Sequence, residues 1–216
     1  MIFTSKCSII AFGGENMLKT TAMLLQELST YANPMAKIRR MVHDGEIHSV
    51  VRGLYETDPG QRGYLLSQAI YGPSYLSFEY ALAWHDWIPE AVRVYTCATC
   101  GKGKKKRYET TFGVFTYRDV PAGAFAYGVD LRQEDGYGYL LATPEKALCD
   151  LIYTVSPLKN RAGLRRLLFE DLRVDEQVFV QSKLNDMAEM ASLYHTENHR
   201  LLAGLIREVI RHEQRD

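Results

Sequence analysis

Two cysteines three residues apart, in Cys97-Ala98-Thr99-Cys100 followed by Gly101 and Lys102, have the spacing with which a zinc knuckle lays two thiolates along one edge of a tetrahedral metal. The further ligands such a site needs are scattered: Cys7, Cys149, His85, and His195 with His199, the last two at helical i,i+4 spacing. The pair is half a site, so it reads as two ordinary thiols in a hairpin, and no metal or other cofactor is expected. A redox role asks for the pair to open a helix inside a βαβ unit. Lys102, Lys104, Lys105, Lys106 and Arg107 form a dense basic turn between two apparent strands. Such a turn could neutralise phosphates or be a solvated hairpin tip, and no aromatic residue interleaves to stack a base. Glu145 and Asp150 are conceivable metal ligands of a nuclease. Yet Glu145 suits the first turn of a helix, and Asp150 can pair with Lys146 one turn away. No glycine-rich phosphate loop, nucleophile elbow or HExxH pair occurs. The chain therefore reads as non-enzymatic, with a metal-dependent nuclease as an alternative.

A different chemistry is suggested by Asn33 to Gly45 and the segment that follows to Tyr55. Asn33 can cap a helix, Pro34 suits its first position, and Gly45 can end it in the left-handed region. Met35, Ile38, Met41 and Val42 recur at helical spacing and predict a buried stripe. Ala36, Lys37, Arg39, Arg40 and His43 are left pointing outward. A small basic face of this kind fits the major groove, and a hairpin with Arg52-Gly53 at its tip could bring a guanidinium to the backbone or the minor groove. The plainer reading is an amphipathic helix whose basic face is solvated.

These segments sit in an ordinary chain of 216 residues, 46% hydrophobic and 24% charged, large enough for one big domain or two small ones. Its 26 basic and 26 acidic side chains cancel, so any DNA site must be a local patch. No apolar run is long enough to span a bilayer, and Ile9-Ile10-Ala11-Phe12 is too short for a secretory signal. Four cysteines make no disulfide framework, and the expected compartment is the cytoplasm. Residues 1–14 read as a loose arm, with Met17 an alternative start.

Along the chain, Met17 to Leu28 predicts a helix with Leu18, Leu24, Leu25 and Leu28 available for a core. It leads into the basic helix and hairpin. After Asp58-Pro59-Gly60, helices are expected over Gly63 to Tyr71 and from about Ser74 to His85, separated by Gly72-Pro73. Val92 to Thr96, Tyr108 to Arg118 and Ala124 to Val129 predict a small antiparallel sheet of hairpins. Thr143-Pro144-Glu145 opens a helix that buries Ala147, Leu148, Leu151, Ile152 and Val155, and the chain from Arg161 onward is helical. Arg161, Arg165 and Arg166 make a second basic cluster, expected to pair on the surface with the acidic residues that follow.

The hairpin segment, Tyr75 to Leu82, Tyr108 to Gly113 and Ala142-Thr143-Pro144-Glu145-Lys146-Ala147-Leu148-Cys149-Asp150 together resemble the AbiEi family of antitoxin-type transcriptional regulators in abortive-infection systems. The likeness runs from about Lys37 to Tyr153. It implies an α+β protein. Residues 1–60 would form an N-terminal winged helix-turn-helix, and residues 61–216 a mixed antitoxin domain with a small antiparallel β region and a helical C-terminal part. The resemblance further implies binding to double-stranded DNA at inverted repeats in the protein's own promoter, as a monomer in solution or a dimer on DNA. A nucleotidyltransferase-like toxin would be the functional partner, counteracted without a stable complex. In this reading Lys37, Arg39 and Arg40 lie on the recognition helix and Arg52 on the wing, with Lys102, Lys104, Lys105, Lys106 and Arg107 adding phosphate contacts. An antitoxin that sequesters its toxin directly is the alternative within the same class.

Overall fold

The cap signals around Asn33 and Thr143 set the two helices that matter most. In a computed structural model, which describes residues 18–213, α2 (Pro34–His43) begins where the Asn33 side chain accepts the Ala36 N–H at 3.0 Å. It ends before Gly45 at φ +74°. Ahead of it stand β1 (Lys19–Thr20) and α1 (Thr21–Glu27), and behind it the hairpin of β2 (His48–Val51) and β3 (Leu54–Glu56). These strands form a three-stranded antiparallel sheet in the order β1-β3-β2. The first helix is shorter than its sequence predicts, because Thr20 pairs with Leu54 as a strand residue and then caps α1 through its hydroxyl. Met17 and the expected arm over residues 1–14 lie outside the described residues.

Among the described residues, Leu24, Ile38 and Ile47 are the ones fully buried beneath these two helices, with Leu28, Met41 and Tyr55 packed around them. The expected stripe on α2 is therefore corrected: Ile38 is buried, Met41 half-buried, and Met35 and Val42 are 39% and 36% exposed. Two short helices over three short strands leave room for a core one residue deep. On the other face of the hairpin, Val50 and Leu54 join the large core.

That core is organised by a second, six-stranded sheet in the order β6-β7-β5-β4-β9-β8. Its strands are β4 (Ser74–Leu76), β5 (Val94–Thr99), β6 (Lys106–Thr110), β7 (Gly113–Asp119), β8 (Val129–Glu134) and β9 (Tyr137–Ala142). The sheet is mixed, not antiparallel as expected. From β5 the chain passes beyond its neighbour's place, runs back as the edge strand β6 and returns as β7 parallel to β5. The second parallel contact joins β4 to β9. The segment Ala124 to Val129 is a short 3-10 turn and loop, and the strand starts only at Val129. The helix expected from about Ser74 begins instead as β4, because Ser74 to Leu76 pair with Cys97 to Thr99, and α4 covers Phe78–Trp84.

Gly63–Leu66 is a 3-10 turn that runs into α3 (Ser67–Ile70). After the sheet come α5 (Pro144–Thr154), α6 (Arg161–Arg165), a π-helical turn over Arg166–Asp171, α7 (Glu176–Val180), α8 (Leu184–Ser192) and α9 (Glu197–Glu213). The α+β class and the helical C-terminal part stand. No helix among the described residues is long and apolar enough to cross a membrane.

Candidate nucleic-acid interface

On α2, Arg39 and Arg40 are exposed, and neither side chain makes an ion pair or hydrogen bond with the described residues. Lys37 lies on the same helix but is held at 3.4 Å from Glu46. His43 is exposed and contacts Asp44 at 2.9 Å. The tip of the hairpin that follows this helix in the chain carries Arg52, exposed and likewise uncommitted among the described residues. Gly53 turns the chain there at φ +84°, a backbone state that costs a residue with a Cβ. Its carbonyl accepts the Thr21 N–H at 3.0 Å, fixing the hairpin tip against the start of α1.

The basic turn belongs to the other sheet, yet it lies close to this unit because β2 and the edge strand β6 are adjacent. Asp119 shapes the turn. One carboxylate oxygen accepts the Gly103 N–H and the other the Thr99 hydroxyl, both at 2.6 Å. Lys102 is drawn inward: its Nζ donates to the Gly72 carbonyl at 2.9 Å and sits 5.0 Å above the Tyr71 ring. Arg107 pairs with Glu109 at 3.0 Å and Lys106 is half-buried. Lys104 and Lys105 are exposed without an ion pair among the described residues. Of the nine candidate residues, the structure thus leaves Arg39, Arg40 and Arg52 as uncommitted guanidiniums on one unit and Lys104 and Lys105 on a neighbouring turn, while Lys106, half-buried on β6, stands opposite Tyr117 on the other face of the sheet from Arg107. Lys37, Lys102 and Arg107 already have partners. The role of Asp119 was not legible, since its only sequence signal is an acidic residue beyond the next strand.

The two cysteines sit in different settings. Cys97 is fully buried, where burial pushes its thiol well above the usual range, and its Sγ lies 3.7 Å from the Tyr95 carbonyl. Cys100 is half-buried at the strand end. Among the described residues no three His, Cys, Asp or Glu side chains converge as metal ligands. His199 is committed to Thr196 at 2.7 Å and to the Cys149 carbonyl at 3.0 Å. Arg161 and Arg165 both pair with Glu208 on α9, while Arg166 reaches Glu170 at 3.7 Å as the expected local pair.

Glu145 and Asp150 are also committed. Glu145 accepts the Lys183 N–H at 3.1 Å and so ties α5 to the start of α8. Asp150 pairs with Lys146 at 2.7 Å, as the one-turn spacing predicts, but both side chains are 0% exposed. Tyr75 and Ser77 donate to its second oxygen at 2.9 and 2.6 Å, and Tyr194 donates to the first while accepting from Lys146. Every charge in the cluster is answered by a partner, which is what a buried ion pair requires.

No family model and no curated protein matches the chain. The reading of its function therefore rests on the residues above and on how the fold groups them.

Proposed function

We propose that this chain is a DNA-binding transcriptional autorepressor and antitoxin of the AbiEi kind, acting without catalysis. The unit from β1 to β3 serves as a winged helix: α2 enters the major groove with Arg39 and Arg40, and the β2–β3 hairpin is the wing that brings Arg52 to the backbone or minor groove. The observation that carries this reading is the exposed, uncommitted state of these three guanidiniums on one capped helix and on the hairpin that follows it. Arg62, Arg161, Arg165 and Arg173 are paired with carboxylates; Arg93 and Arg207 have no ion pair among the described residues either, so what supports the reading is the grouping of three such arginines on one small unit and not the lack of a partner alone. Lys104 and Lys105 add sequence-independent phosphate contacts from the adjacent turn. Two copies on an inverted repeat would give the operator its symmetry. The toxin, a nucleotidyltransferase-like protein in this reading, is counteracted without a stable complex.

The test is fluorescence anisotropy of the purified protein on its own upstream DNA against a scrambled duplex. Tighter binding to the upstream DNA is expected. Arg40→Ala and Arg52→Ala should each weaken it by about 1–3 kcal/mol where the contact is to a base edge, with unchanged circular dichroism. Undiminished affinity in both folded variants would remove α2 and the hairpin from the interface.

A further inference from the structure

The two edges of the large sheet are protected unequally. β6 carries Lys106 and Arg107 and lies against β2, two of the devices that blunt an open strand edge. β8, Val129-Asp130-Leu131-Arg132-Gln133-Glu134, has no lysine, proline or bulge. Among the described residues it pairs with β9 alone, in unbroken register from Val129 opposite Ala142 to Glu134 opposite Tyr137. Leu131 is 69% exposed and Tyr127, just ahead of the strand, 60%, the two most exposed large apolar side chains among the described residues. The Gly128 carbonyl accepts the Thr143 N–H at 2.8 Å. The Val129 N–H, on the other side of the same peptide plane, therefore points away from β9, and strand alternation sends the backbone groups of Leu131 and Gln133 the same way.

We infer that β8 is a docking edge for a second copy of this chain, paired antiparallel about a two-fold axis through Leu131. Such a pair must bring outward-pointing residues together, so its possible registers differ by steps of two. Centred on Leu131, Val129 meets Gln133 of the second copy and Asp130 meets Arg132, an ion pair made twice by symmetry. Shifted one way, Arg132 meets Arg132 and Asp130 meets Glu134; shifted the other, Asp130 meets Asp130. One register thus sets opposite charges across the seam and its neighbours set like charges, which is how cross-strand pairs select register. Asp130 and Arg132 of one chain are 3.9 Å apart on one face, so the four side chains alternate in sign as a closed cluster. On the other face Leu131 lies opposite Leu140, and pairing extends the two into one apolar row with their copies. With one six-residue strand per copy, the contact falls below the about 1,200 Å2 of stable interfaces, and the dimer exchanges reversibly with the monomer.

The contact does not rest on the regulator reading and is measured without DNA; where both hold, its two-fold axis matches that of an inverted repeat. Sedimentation equilibrium of the full chain tests it, at concentrations up to about 1 mM, enough to populate a millimolar dimer. A reversible monomer–dimer equilibrium is expected. Asp130→Arg and Arg132→Asp each set like charges opposite one another twice, and each should weaken self-association by about tenfold, with unchanged circular dichroism. Mixed in equal amounts, the two variants should associate again, because the mixed pair restores opposite charges across the seam. Leu131→Lys, at an exposed position, places two ammonium groups face to face and should weaken the dimer by about tenfold; it carries the test if a charge variant fails to fold. A chain that stays monomeric throughout, whether β8 is open or covered by another segment, overturns the proposal. So does a dimer that the folded variants leave unchanged, or a mixture of the two charge variants that fails to associate.

Discussion

The Lys146–Asp150 pair shows how far burial changes the meaning of a residue. One turn apart on an exposed helix, such a pair contributes a few tenths of a kcal/mol; at 0% exposure, with Tyr75, Ser77 and Tyr194 around it, it is the polar centre of the large core. Lys146→Met should leave the carboxylate buried without its cation and cost about 3–5 kcal/mol, read as a lower urea midpoint. His199 sits beside this centre, its ring stacked on Tyr194 at 4.2 Å. Burial lowers its pKa from 6.5 to about 4. Between these values the unfolded chain holds the proton and the folded one does not, so stability rises with pH there. The protein should lose stability as pH falls from about 6.5 to about 4 and gain none from His199 above that window. His199→Gln, though less stable overall, should show a flatter melting-temperature profile across that window, and an unchanged slope would mean other groups set it.

Among the elements, α2 depends on its own ends because its core contact is nearly confined to Ile38. Asn33→Ala removes the acceptor for the Ala36 N–H and should cost about 1 kcal/mol, a shift visible in thermal melts. In the DNA reading it should also weaken binding without touching a phosphate, since Arg39 and Arg40 would ride on a fraying helix. The β8–β9 hairpin is the opposite case: Asp135 and Gly136, at φ +51° and +80°, give the two-residue turn that Asp-Gly favours. That dipeptide marks the hairpin in the sequence, where the residue pattern predicts only a strand over Ala124 to Val129.

At the scale of the molecule, the small unit and the large sheet are joined rather than strung together. Glu56 at the end of β3 accepts the Tyr137 hydroxyl from β9 at 2.7 Å, and its other oxygen accepts the Thr57 and Asp58 N–H groups. Val50 and Leu54 reach into the large core from the same hairpin. Strand β2 also contacts the edge strand β6, which the basic turn leads into, and in the proposed function this turn shares the duplex with α2. Replacing Lys104 and Lys105 together by alanine should lower the slope of log affinity against log salt by about 2, as expected for two lost phosphate contacts. It should leave the preference for upstream over scrambled DNA intact. A slope equal to that of the wild type would place the turn outside the interface.

What the sequence by itself determined are features written in a few neighbouring residues. The ends of α2 follow from Asn33, Pro34 and Gly45, the start of α5 from Thr143 and Pro144, and the hairpin tip from Arg52-Gly53, because capping and turn geometry are local. The Lys146–Asp150 pairing was legible for the same reason. Only the tertiary structure decided that this pair is buried, that β5 and β7 run parallel with β6 beyond them, and that Asp119 folds the basic turn while Lys102 is drawn onto Tyr71. Each depends on a partner far along the chain, such as Tyr194 for Lys146 or Gly72 for Lys102. Side-chain type and spacing say what a residue can bond to, and packing decides which partner stands there and whether water competes.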